Sequence, residues 1–104
     1  MELAAKAAGI EGQYFESENG IHIHTGIYRP GLDYYWNPLI SDSEALRLAV
    51  KLNLTVRITD SAAIVFELCG KHDAVELLSR HGDLCSAARR AIVRAGAEIG
   101  RAMP

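Results

Sequence analysis

The chain has 104 residues, 49% of them hydrophobic and 23% charged, with a formal net charge of −2. That size supports one domain burying about two thirds of its unfolded surface, and the composition argues against a disordered chain, a collagen-like repeat or a disulfide scaffold. No apolar run reaches the roughly 18 residues of a membrane span. The opening Met1-Glu2-Leu3-Ala4-Ala5-Lys6 lacks the basic-then-apolar pattern of a secretory leader, so a cytoplasmic protein with two reduced cysteines is expected. Residues 1–52 hold seven acids and four bases, residues 53–104 six acids and seven bases. That balance is far less basic than phosphate neutralisation demands of a free-standing nucleic-acid binder.

Glu2 to Ala8 favours helix, with Gly9 placed to stop it. Asn19-Gly20 then lies between Gln13–Glu18 and Ile21–Ile27, a hairpin signal, because both central residues of a type I′ turn need positive φ. A two-residue turn there sets Phe15 beside His24 and Ser17 beside His22. After Arg29-Pro30-Gly31 the segment around Tyr34-Tyr35-Trp36 reads as a loop, with Trp36 assigned to the core and Asn37-Pro38 to the turn that follows. Ser41-Asp42-Ser43-Glu44 is a capping box. It opens a helix over 43–52 with Leu46, Ala49, Val50 and Leu52 inward and Arg47 and Lys51 outward.

Three strands are expected next, over Leu54–Ile58, Ile64–Leu68 and Ala74–Leu78, joined by short turns into an antiparallel meander. The last of these also reads as a helical turn. Asp83 is a good N-cap for a helix running to about Ala102, with Leu84, Ala88, Ile92, Ala95, Ile99 and Met103 as its apolar stripe. Gly96 and Gly100 weaken that helix by roughly 1 kcal/mol each, and with Ala95 and Ala97 nearby they allow close approach of a strand or a partner helix. The predicted fold is α+β, in the order α-β-β-α-β-β-β-α, with helices covering an antiparallel sheet.

The runs Trp36-Asn37-Pro38-Leu39 and Ser43 to Leu52, Ala87 to Ala95 with Ala97 to Gly100, and Glu2 to Ile10 resemble a family of small phage and prophage proteins, those gathered around the phage α-β-α sandwich domain. The resemblance implies a helix–sheet–helix layout and a phage or prophage origin in a bacterium. It implies no catalytic motif and no activity.

Chemistry-bearing groups are sparse. Cys69-x-x-His72 and His81-x-x-x-Cys85 are zinc-ligand types, but the meander sets the pairs on the order of 15–20 Å apart at about 3.3 Å per residue. His22 and His24 share one strand face without a carboxylate opposite them, which reads as solvated histidine. With no nucleophile elbow, phosphate loop or glycine fingerprint, no enzyme activity, cofactor or metal is expected. The candidate interaction surface is Tyr34 and Tyr35 with Arg90, Arg94 and Arg101, the arginines falling within about 40° on the last helix at 100° per residue. The expected function is a non-enzymatic accessory or protein-interaction domain that self-associates or meets a phage or host protein. The alternative is a nucleic-acid-binding accessory protein using the arginine face.

Overall fold

The computed structural model describes residues 1–16, 25–29, 32, 34–67 and 73–104. Over them the chain forms α1 (Glu2–Ala8), β1 (Tyr14–Phe15), β2 (Gly26–Arg29), β3 (Tyr34–Trp36), α2 (Asp42–Lys51), β4 (Leu54–Ile58), β5 (Ala62–Glu67), β6 (Asp73–Leu77), α3 (Leu78–His81) and α4 (Leu84–Ala102). The α+β class stands, with two antiparallel three-stranded sheets ordered β1-β2-β3 and β4-β5-β6.

The first sheet departs from expectation in two ways. Tyr34–Trp36, read above as a loop, is a strand pairing Ile27 with Trp36 and Tyr28 with Tyr35. The register of β1 and β2 also differs: Phe15 lies opposite Gly26, two residues from the His24 that a two-residue turn requires. The Asn19-Gly20 turn, His22 and His24 fall outside the described residues. Ile27 and Trp36, side by side on one face, are buried in the core. Asn37 fixes the route to α2: its Nδ2 donates to Thr25 O at 3.1 Å and its Oδ1 accepts from Leu39 N–H at 3.0 Å.

Ser41 caps α2 as expected, its Oγ accepting from Glu44 N–H at 3.3 Å. The buried face of α2 is Ala45, Leu48 and Ala49, whereas Leu46 and Val50 are 64% and 72% exposed. Both stripes have helical spacing, so periodicity alone does not choose between them. The one that wins puts two alanine methyls at the packed face, where α2 lies against α4.

The second sheet is the expected meander, and residues 73–77 are its third strand, followed by the single turn of α3. α4 lies between this sheet on one side and α1 and α2 on the other. At 100° per residue, Ile92, Gly96 and Gly100 occupy one side of α4, and Ala87 and Ala91 lie nearly opposite. All five are buried, while the expected stripe members Leu84, Ala88 and Ile99 sit at the flanks and Met103 is exposed. A helix covered on two sides has no single apolar stripe. Gly100 is the point of closest approach to α1: a Cβ there would lie 1.9 Å from Leu3 O. The close approach anticipated for the glycines is made by the chain's own first helix.

Candidate functional site

Residues opposite one another in an antiparallel sheet project to the same face. The pairings Val65–Ala74 and Ala63–Glu76 therefore set one face of the second sheet, buried under α4 over β5 and β6, while Val56 and Ile58 of β4 on the same face are 38% and 50% exposed. The other face carries three rows: Thr55-Phe66-Asp73, Arg57-Ile64-Val75, and Ala62 with Leu77. There Val75 and Leu77 are 49% and 44% exposed, and Ile64 and Phe66 are partly exposed. Arg57 and Asp73 are exposed at opposite edges of this face, and neither forms an ion pair among the described residues.

The sequence of the central strand, Ala62-Ala63-Ile64-Val65-Phe66, is apolar at five successive positions. Such a run is the pattern of a strand covered on both faces, whereas a strand with one wet face alternates apolar and polar residues. α4 supplies cover for one face only. The five-residue apolar run is the sequence signal for a second covering surface.

The five residues expected to form an interaction surface do not come together. Tyr34 and Tyr35 point to opposite faces of β3. Tyr34 Oη accepts from Arg29 Nη1 at 3.0 Å, whereas Tyr35 joins Tyr28 and Phe15 on the far face, with ring centroids 5.1 and 6.4 Å away. Of the three arginines, only Arg90 lacks a carboxylate partner among the described residues. Arg101 Nη1 lies 3.2 Å from Glu98 Oε1, so Glu98 neutralises Arg101.

Arg94 is part of the architecture. It donates to Val75 O at 3.2 Å and to Glu76 Oε2, while Glu76 Oε1 accepts from His81 Nε2 at 2.6 Å. Burial pushes the Glu76 carboxyl up, but the hydrogen bonds and charges of His81 and Arg94 outweigh it and hold the group below the usual carboxylate range. A guanidinium and an imidazole thus hold a carboxylate buried under α4, and replacing Arg94 would remove the guanidinium that compensates its charge. Arg89 is also structural. Its Nε donates to Leu39 O at 2.8 Å, Nη1 to Asp42 Oδ1 at 2.6 Å and Nη2 to Ser86 Oγ at 2.9 Å, tying α4 to the start of α2.

Of the two cysteine–histidine pairs, Cys69 and His72 lie outside the described residues. Cys85 is an exposed thiol on the first turn of α4, and His81 is turned to Glu76. No helix among the described residues is long and apolar enough to cross a membrane. Comparison with protein-family models, with curated proteins and with solved structures gives no match to this chain.

Proposed function

We propose that the protein is a non-enzymatic interaction domain that pairs with a second copy of itself through the open face of the β4-β5-β6 sheet. The observation that carries this reading is a central strand apolar on both faces and, among the described residues, left partly exposed at Ile64 and Phe66 on one of them. Two such faces stack about 10 Å apart with strands nearly aligned. A two-fold axis running along the strands lays β4 of one copy over β6 of the other. Arg57 then lies one row from the partner's Asp73, about 7 Å along the strand and within reach of an arginine side chain. A two-fold axis running across the strands would instead set Arg57 against the partner's Arg57. Charge therefore selects the first arrangement.

The resemblance of residues 36–52 and 87–100 to phage sandwich proteins supports an accessory role for a phage or prophage in the cytoplasm of its bacterial host. The nucleic-acid reading has less support, because Arg89, Arg94 and Arg101 already meet carboxylates. Half-exposed Val75 and Leu77 each offer less than the roughly 1.5–3 kcal/mol of a fully buried side chain, so a reversible, concentration-dependent dimer is expected.

Sedimentation velocity over a concentration series tests the proposal. Val75→Lys should give a monomer. Arg57→Asp and Asp73→Arg should each weaken the dimer, and combining them should restore it. A monomer at every concentration, or a dimer indifferent to Val75→Lys, would refute it.

A further inference from the structure

Away from that sheet face, a cleft of about 240 Å³ opens where the end of α1, β2, β3 and α2 meet. Its cations are Arg29, Arg47 and Lys51, and its apolar lining is Tyr34 and Ile10 above the buried Trp36 and Leu48. Among the described residues Glu44 is the single carboxylate in the lining, against three cations. The ion pairs among the described residues involve none of these four side chains.

Two of the cations lie close together on one helix, with Glu44 one turn before the first. Arg47 and Lys51 are four residues apart, one above the other on α2, and like charges at that spacing repel. Lys51 is accounted for by the helix dipole, since it lies in the last turn, but Arg47 is mid-helix and gains nothing from the helix end. Arg29 approaches from β2, across the cleft. Its guanidinium is held by the hydrogen bond to Tyr34 Oη and lies 5.7 Å from the centre of the Tyr34 ring, so its position is set before any ligand arrives. An adjoining hollow shares Arg29 but contains Glu11, which places the positive potential on the α2 side.

From this geometry we infer a binding site for a small organic phosphate monoester carrying one ring or a similar apolar group. The excess of two positive charges matches a phosphate dianion better than a carboxylate. The two guanidinium groups offer forked donors for phosphate oxygens, and Lys51 adds a point charge. Tyr34, Ile10 and Ala8 are partly exposed and provide apolar surface for the ring, over the buried Trp36 and Leu48. The volume lies below the roughly 300–1,000 Å³ of sites for drug-sized ligands, which limits the occupant to a compact molecule. The inference is independent of self-association, since none of these residues belongs to the β4-β5-β6 sheet.

The probes are phenyl phosphate, inorganic phosphate and benzoate. Trp36 is the chain's one tryptophan, so its fluorescence reports on the cleft directly, and calorimetry provides a readout independent of the ring. Phenyl phosphate should bind saturably with a Kd on the order of 1 mM or tighter, and the other two probes about tenfold more weakly. Arg47→Glu cancels the lining charge and should abolish binding. Arg47 is exposed, so its thermal unfolding should stay near that of the wild type. Arg29→Met should weaken binding about tenfold while keeping the side chain's bulk. Inorganic phosphate or benzoate binding as tightly as phenyl phosphate would overturn the inference. So would an unaltered response in a folded Arg47→Glu variant, or the lack of saturable binding to the wild type.

Discussion

Gly96 and Gly100 lie one turn apart on α4, yet alanine should act oppositely at the two. A Cβ at Gly100 would sit 1.9 Å from Leu3 O and 2.7 Å from Leu3 C, both backbone atoms of α1. Ordinary contact begins near 3.4 Å, so α1 would have to retreat by about 1.5 Å along that line. Overpacking of this kind costs about 1–3 kcal/mol, and the retreat also strips Ala4 and Ala5 of close packing. Better helix propensity returns about 1 kcal/mol. The seven-residue α1 cannot persist undocked, so further displacement would melt it. Gly100→Ala should therefore destabilise the fold by about 2 kcal/mol, a fall in Tm of roughly 8–15 °C at this chain length. At Gly96 the new methyl would meet Leu52 Cδ1 at 3.3 Å, Ala4 Cβ at 3.4 Å and Leu48 Cδ2 at 3.5 Å. The tightest of these is the end of a mobile side chain, and the variant should fall between neutral and about 1 kcal/mol more stable. Thermal and urea unfolding followed by circular dichroism gives both values, and hydrogen exchange of the α1 amides shows whether that helix loosens. Equal effects at the two positions, or a Gly100→Ala protein as stable as the wild type, would refute this account of the α1–α4 packing.

Glu76→Gln should destabilise by about 1–3 kcal/mol at neutral pH, because it removes the charged partner of Arg94 and His81. Since the folded-state pKa of Glu76 is lowered, its stabilisation is complete above the ordinary glutamate value of about 4.3 and is lost as pH falls through the folded value. The gap between variant and wild type should close over that acidic range in urea titrations. Arg94→Ala should also destabilise, a result that a purely solvated arginine would not give. Asn37→Ala would leave Thr25 O and Leu39 N–H without the Asn37 side chain and should cost about 2 kcal/mol by urea unfolding. Arg89→Lys cannot span three acceptors with one ammonium group and should lower stability by about 1 kcal/mol, read as a Tm shift.

What could be read in advance was what neighbouring residues decide among themselves. The Ser41 cap, the Asp83 cap and the antiparallel pairing of the meander depend on short spacings, and each is found in the structure. The orientation of α2 depended instead on where α4 would lie, and two stripes of equal period offered no means of choosing. Tyr34–Trp36 looked like a loop because a three-residue strand flanked by Pro and Gly owes its form to the partner strand β2. The arginines of α4 formed a plausible surface until β6 and the start of α2 were placed. Only then do Glu76 and Asp42 emerge as partners of Arg94 and Arg89. The cleft was the least legible feature, since Arg29 and Arg47 converge only after three elements have packed.

The contact between α1 and α4 also bears on the order in which the molecule can be made. Lys6 Nζ donates to Met103 O across 97 positions of sequence, and Leu3 packs on Gly100. A ribosome releases the first helix long before the residues it must dock against exist. Until then α1 is a short peptide below the length at which helices persist in water. The two sheets lie wholly between these ends, and their hairpin-like pairings can form early and locally. Docking of α1 is thus the step with the largest loop to close, and a chain halted before Gly100 would carry its N-terminal segment undocked. During synthesis, that segment is the one most open to proteases and chaperones.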